Sequence, residues 1–63
     1  MNKICDICHT QVEQEYVDGK TIYGPWANMC TNCFNTVGIG LGLGLGQMYR
    51  WSEQEQKYKK IKG

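Results

Sequence analysis

No run of about 20 apolar residues occurs anywhere in this 63-residue chain, which excludes a membrane-spanning helix. Residues 1–9 contain no apolar stretch either, so a leader for export is not expected and an intracellular, cytoplasmic setting is. Catalytic side chains are scarce. There is one His, His9, and Ser52 has no evident base, while the six Asp and Glu are few and scattered. No G-x-G-x-x-G loop and no Gly-Lys-Ser/Thr follows a strand pattern, so the nucleotide-binding signatures are missing, and nothing marks a site for a small-molecule substrate. The chain is also too short for a βαβ fold. A domain this small buries only about 60% of its unfolded surface, so a large core is excluded and a staple is expected.

The staple is visible in the cysteines. Cys5 and Cys8 form one CxxC pair and Cys30 and Cys33 a second, with 21 residues between Cys8 and Cys30. Two residues between thiolates let both sulfurs reach one ion at about 2.3 Å, and a second pair completes a tetrahedron. The expected cofactor is therefore one zinc ion held by Cys5, Cys8, Cys30 and Cys33. Four thiolates bind iron equally well by spacing alone, as in rubredoxin, so an iron site for electron transfer is the alternative cofactor. Disulfides are disfavoured in a reducing compartment. Cys5 to His9 also spells CxxCH, the attachment motif of c-type haem, but that reading leaves Cys30 and Cys33 without a purpose. His9 follows the first pair at a position that often takes positive φ, where it is a turn residue and not a fifth ligand.

Between the pairs, two β-prone runs, residues 14–17 and 20–23, flank Asp18-Gly19, which predicts a type I′ hairpin. That hairpin would place Tyr16, Thr21 and Tyr23 on one face and Val17 and Ile22 on the other. Gly24-Pro25 closes the second strand, and Trp26 and Met29 are expected to cover the sulfurs. Asn28 is placed to cap a short helix that carries the second pair and ends at Gly38. The fold class is thus a small metal-stabilised domain, mostly β. Knuckle, hairpin and helix make a treble clef, and a zinc ribbon with two knuckles is the close alternative.

Gly38, Gly40, Gly42, Gly44 and Gly46 alternate with Ile39, Leu41, Leu43 and Leu45, which implies extended backbone with one bare and one aliphatic face. Close internal packing, an external docking row and a segment left mobile until a partner binds are three open readings of it.

The tail, residues 47–63, reads in two ways. Ser52 and Glu55 form a capping-box pattern for a helix, but its apolar face would hold only Tyr58 and Ile61. Alternation at Tyr49 and Trp51 instead favours a hairpin of residues 47–51 and 57–61. The tail is treated as a basic element beside a zinc-finger domain of residues 1–46. Its charge is +3, against −2 for residues 1–46. Tyr49, Arg50, Trp51, Lys57, Tyr58, Lys59, Lys60 and Lys62 interleave aromatics with cations, the combination that stacks on bases and meets phosphates, so they are the candidate partner or nucleic-acid residues.

The stretch Gly24-Pro25-Trp26-Ala27-Asn28-Met29-Cys30, with Cys33-Phe34, the Gly-X run to Gly46-Gln47, and Tyr49, resembles small zinc-finger proteins encoded by tailed bacteriophages. It covers about half the chain. The resemblance implies a viral protein acting in a bacterial host cell, a metal site and a strand pair in the tail, but no reaction, because that family is mostly of unassigned function. Gly stands in such proteins where this chain has His9. The expectation is a non-catalytic zinc module that binds a host or viral protein, with nucleic-acid binding through the tail as the alternative.

Overall fold

The computed structural model describes residues 3–63. Four antiparallel strands form one sheet in the order β2-β1-β3-β4. They are β1 (Glu15–Lys20), β2 (Trp26–Cys30), β3 (Gly46–Ser52) and β4 (Lys57–Lys62), and the single helix among the described residues, α1 (Thr31–Val37), follows β2 directly. The fold is a small, mostly β domain with the helix against β1 and β2.

The Asp-Gly hairpin does not form. β1 runs straight through Asp18 and Gly19, which pair with Asn28 and Ala27 on one side and with Gln47 and Gly46 on the other. The turn lies at Thr21 to Pro25 instead. There the Thr21 hydroxyl donates to the Pro25 carbonyl at 2.9 Å and accepts from the Tyr23 N–H at 3.2 Å, and Gly24 supplies φ +108°. The reason is tertiary. Continuing β1 makes it a central strand and sets Val17 between Met29 and Met48, where Val17 and Met29 lose all solvent exposure. The face assignments built on the hairpin fail with it: Ile22 and Tyr23 are exposed turn residues, and Val17 is buried opposite Met29.

Trp26 departs from expectation as well. It lies at the start of β2 opposite Lys20 and is 45% exposed, four residues from Cys30, so it does not cover the sulfurs; Met29 is fully buried. Asn28 is a strand residue and not the helix cap. That role belongs to Cys30, whose sulfur accepts from the Cys33 N–H. The helix does end at Gly38, whose backbone turns extended (φ −75°, ψ 153°) while its N–H still donates to the Phe34 carbonyl, and a side chain there would collide with the Phe34 ring.

The Gly-X run is not one strand. Gly42 (φ +124°) and Gly44 (φ +78°) take left-handed conformations that side chains resist, and they fold the run into a small loop closed by reciprocal bonds between Gly42 and Gly46. Leu43 stands at its tip, fully exposed, while Leu41 packs toward the core. Gly46 opens β3 directly opposite Gly19. A methyl group at Gly46 would lie 2.9 Å from the Gly40 carbonyl and 3.1 Å from the Gly19 Cα, so three backbone segments meet there with no room for a side chain.

The tail forms the hairpin, β3 to β4, and not a helix. β3 also pairs with β1, which joins the tail to the same sheet. Tyr49, Tyr16, Tyr58 and Trp51 make one aromatic cluster, with ring centroids 4.8 to 5.2 Å apart in successive pairs, and the Lys3 ammonium sits 4.8 Å from the Tyr16 ring centre. At the opposite end of β1 from Tyr16, the loops on either side of Lys20 expose Ile22, Tyr23, Trp26, Ile39, Leu43 and Leu45. Lys20 bonds through its backbone to both Leu45 and Ile39, so these loops adjoin. No helix among the described residues is long and apolar enough to cross a membrane.

Close approach at Gly46 predicts that Gly46→Ala destabilises the fold by about 1–3 kcal/mol, through overpacking against backbone that has little freedom to move. Gly40→Ala, whose methyl group would meet only the Leu45 Cδ1 at 3.6 Å, is expected to be neutral or slightly stabilising. Chemical denaturation of the two variants beside the parent chain checks the contrast.

Candidate metal centre

The first pair sits in a tight knuckle. The His9 N–H donates to the Cys5 carbonyl at 2.9 Å, the Cys5 N–H to the Thr10 carbonyl at 2.9 Å, and His9 takes φ +64°, so the positive-φ expectation for that residue holds. The knuckle is then bolted to the outer edge of β2 by Asp6. Its N–H donates to the Asn28 carbonyl at 2.8 Å, and its carboxylate accepts from the Asn28 N–H at 2.9 Å. Cys30 closes β2, and Cys33 lies one turn into α1. Strand edge, knuckle and helix start thus deliver both pairs to one place.

The four sulfurs of Cys5, Cys8, Cys30 and Cys33 all lie within 4.8 Å of one another, with Cys8 and Cys30 at 3.9 Å. A tetrahedron with metal–sulfur bonds of about 2.3 Å needs sulfurs about 3.8 Å apart, so the cluster fits a metal ion after a contraction of at most about 1 Å. No disulfide joins them. Cys5 and Cys33 are buried and belong to the hydrophobic core, Cys30 is half-buried, and Cys8 faces solvent. His9 is exposed and outside the cluster. The four cysteines expected from spacing alone are the four the fold brings together.

Hydrogen bonds support the sulfurs unevenly. The Ile7 N–H donates to the Cys5 Sγ and the Cys33 N–H to the Cys30 Sγ, both at 3.4 Å. The Thr10 hydroxyl lies 2.9 Å from the Cys8 Sγ and, followed by the Thr10 N–H, brings the Cys8 thiol down to about 6. Burial pushes the Cys5 thiol up, but the N–H groups of Cys8, Cys30 and Ile7 outweigh it and leave the thiol below its ordinary value. For Cys33, burial comes first and the neighbouring sulfurs of Cys30, Cys8 and Cys5 add to it, raising the thiol to about 12. Thr10, Asp6 and Lys3 were not singled out from the sequence. A hydroxyl two residues after a thiolate was the one available signal for Thr10.

The tail candidates are placed differently. Tyr49, Trp51 and Tyr58 are half-buried in the aromatic cluster, and the Tyr58 hydroxyl is buried with no partner among the described residues. Arg50 is 3.6 Å from Glu15, Lys57 is 3.7 Å from Glu55, and Lys59 also binds Glu55, whose carboxyl is held below its usual range by that bond. Lys60 and Lys62 have no carboxylate partner among the described residues. Three of the five tail cations therefore already face an acid of the same chain.

No family model, curated protein or solved structure matches this chain.

Metal binding must displace the proton from Cys33 throughout the neutral range, and below about pH 6 the proton from Cys8 as well. Affinity for a divalent ion is therefore expected to fall as pH falls, by about tenfold per unit for each displaced proton, with a steeper slope below pH 6. Thr10→Val, which removes the hydroxyl donor, is expected to move that break to higher pH. Competition titrations against a chromophoric chelator between pH 5 and 8 read both effects.

Proposed function

We propose that the protein is a zinc-stabilised binding module of the treble-clef kind, without catalytic activity, whose partner is another protein. One observation carries this reading: the convergence of all four sulfurs within 4.8 Å. Four protein ligands fill a tetrahedral ion and leave no open position for water or substrate, the arrangement of a structural site. Zinc suits it because it has no redox chemistry and accepts tetrahedral thiolates; iron is the competing occupant. The treble-clef assignment is supported by the order knuckle, β1–β2 hairpin, α1, with the second pair at the start of the helix.

Support for a binding role comes from what surrounds the site. The Ser52 hydroxyl accepts the Glu55 N–H and so serves the turn, and the four cysteines are the only group of three or more potential metal ligands among the described residues. A protein partner is favoured over nucleic acid by two features. Most tail cations are paired within the chain, and the loops exposing Ile22, Tyr23, Trp26, Ile39, Leu43 and Leu45 come from residues 20–46, in which Lys20 is the one charged residue. Apolar patches of this kind mark contacts with other macromolecules. A role in a bacteriophage-infected cell is in keeping with the sequence resemblance.

The test is elemental analysis of the purified protein joined to thermal unfolding. One zinc per chain and a colourless solution are expected, with loss of the cooperative transition on chelation or in Cys30→Ser. Visible absorption from bound iron would replace the structural role by electron transfer. A sharp transition that survives chelation would remove the zinc reading altogether.

A further inference from the structure

The two edges of the sheet are treated in opposite ways. On β2, the outward N–H and carbonyl of Asn28 are both taken by Asp6 of the knuckle. On β4, no segment among the described residues lies alongside the outer edge. Which β4 groups point outward follows from the ladder. The Lys20 N–H donates to the Leu45 carbonyl and the Trp51 N–H to the Gln14 carbonyl, so Gly19–Gly46 and Glu15–Arg50 are pairs that exchange no direct bonds. Alternation then turns the backbone of Gln47 and Tyr49 toward β1, and that of Met48 and Arg50 toward β4. Lys59, opposite Arg50, faces inward with Lys57, and the N–H and carbonyl groups of Tyr58 and Lys60 face solvent.

Charge selects the occupant. β4 reads Lys-Tyr-Lys-Lys-Ile-Lys, and a second copy pairing along it would set four lysines against four. Edge lysines block self-association of this sort, which makes another copy of the chain the wrong partner. Glu55 already occupies Lys57 and Lys59, whereas Lys60 and Lys62 have no acid among the described residues. Lys60 stands opposite Tyr49, on the sheet face that carries the aromatic cluster. At its far end β4 meets the apolar loops, since Gly63 packs against Gly46 and Gln47 beside Leu45.

We propose that β4 is a docking edge that takes an extended acidic segment of a partner protein as a fifth strand. The added strand bonds to the N–H and carbonyl groups of Tyr58 and Lys60 and sets its carboxylates against Lys60 on the aromatic face, while Lys62, which the bulge between Met48 and Tyr49 sets opposite Met48, adds its charge from the other face. This is strand addition, in which backbone bonds supply affinity and side-chain charge supplies selection. It rests on the protein-partner reading and specifies where and by what chemistry that partner binds.

The experiment uses the full zinc-loaded chain, with metal content measured on the same sample, and a blocked octapeptide of alternating glutamate and threonine as the probe. Amide exchange followed by NMR is expected to slow at least tenfold at Tyr58 and Lys60 when the peptide saturates, with no change from a lysine–threonine peptide. In Lys60→Glu/Lys62→Glu the preference between the two peptides should reverse. Unchanged exchange at Tyr58 and Lys60, with β1 amides still protected, overturns the docking edge. Protection confined to residues 39–45 also overturns it but leaves a protein-binding role standing. Tight binding of an oligonucleotide with no response to either peptide overturns both.

Discussion

Four sulfurs from two distant parts of the chain have to meet within a few ångströms, and almost every other feature is arranged around that meeting. The knuckle can present Cys5 and Cys8 only if it is held against β2, which the paired bonds between Asp6 and Asn28 accomplish. Cys30 and Cys33 require a strand to pass straight into a helix, and the sulfur of Cys30 itself caps that helix. Cys5 and Cys33 are at the same time members of the hydrophobic core. Site and core are one object here, as is expected of a chain too short to build a sufficient core from apolar residues alone.

Around this centre the sheet divides its labour. Val17, Met29 and Met48 line up across three strands on one face, and the Tyr16, Tyr49, Trp51 and Tyr58 rings extend the core across the other toward β4. The glycines let this happen where backbones crowd, most clearly at Gly19 and Gly46. The exposed apolar loops lie at the end of β1 away from Cys30, and the cationic edge strand lies at the side of the sheet away from the knuckle. The sulfur cluster, the exposed apolar loops and the cationic edge strand therefore occupy separate parts of the molecule.

The conflict at Asp18-Gly19 shows how local preference is overruled. An isolated segment with this dipeptide between β-prone residues favours a tight turn. In the folded chain the same residues gain ladder partners on two sides, and Gly19 contributes the space that Gly46 needs. Bonds and burial from two neighbouring strands outweigh a turn propensity, so the reversal moves to Thr21–Pro25, where the Thr21 hydroxyl and Gly24 stabilise it. The Gly-X run makes the complementary point: period two suggested a strand, but left-handed glycines fold it into a loop.

The clustering of the four cysteines, the positive φ at His9, the helix end at Gly38 and the hairpin in the tail were all legible in the amino-acid order. Each depends on a few neighbouring residues: thiols at CxxC spacing, a turn after a knuckle, a glycine stop, alternating Tyr49 and Trp51. Strand partners, the capping of β2 by Asp6, the Thr10 hydroxyl beside Cys8 and the neutralising pairs of Arg50, Lys57 and Lys59 were decided only in three dimensions. They join residues that are far apart in the chain or whose geometry exists only after the sheet has formed. Local spacing has no means of encoding which of several compatible neighbours packing will select.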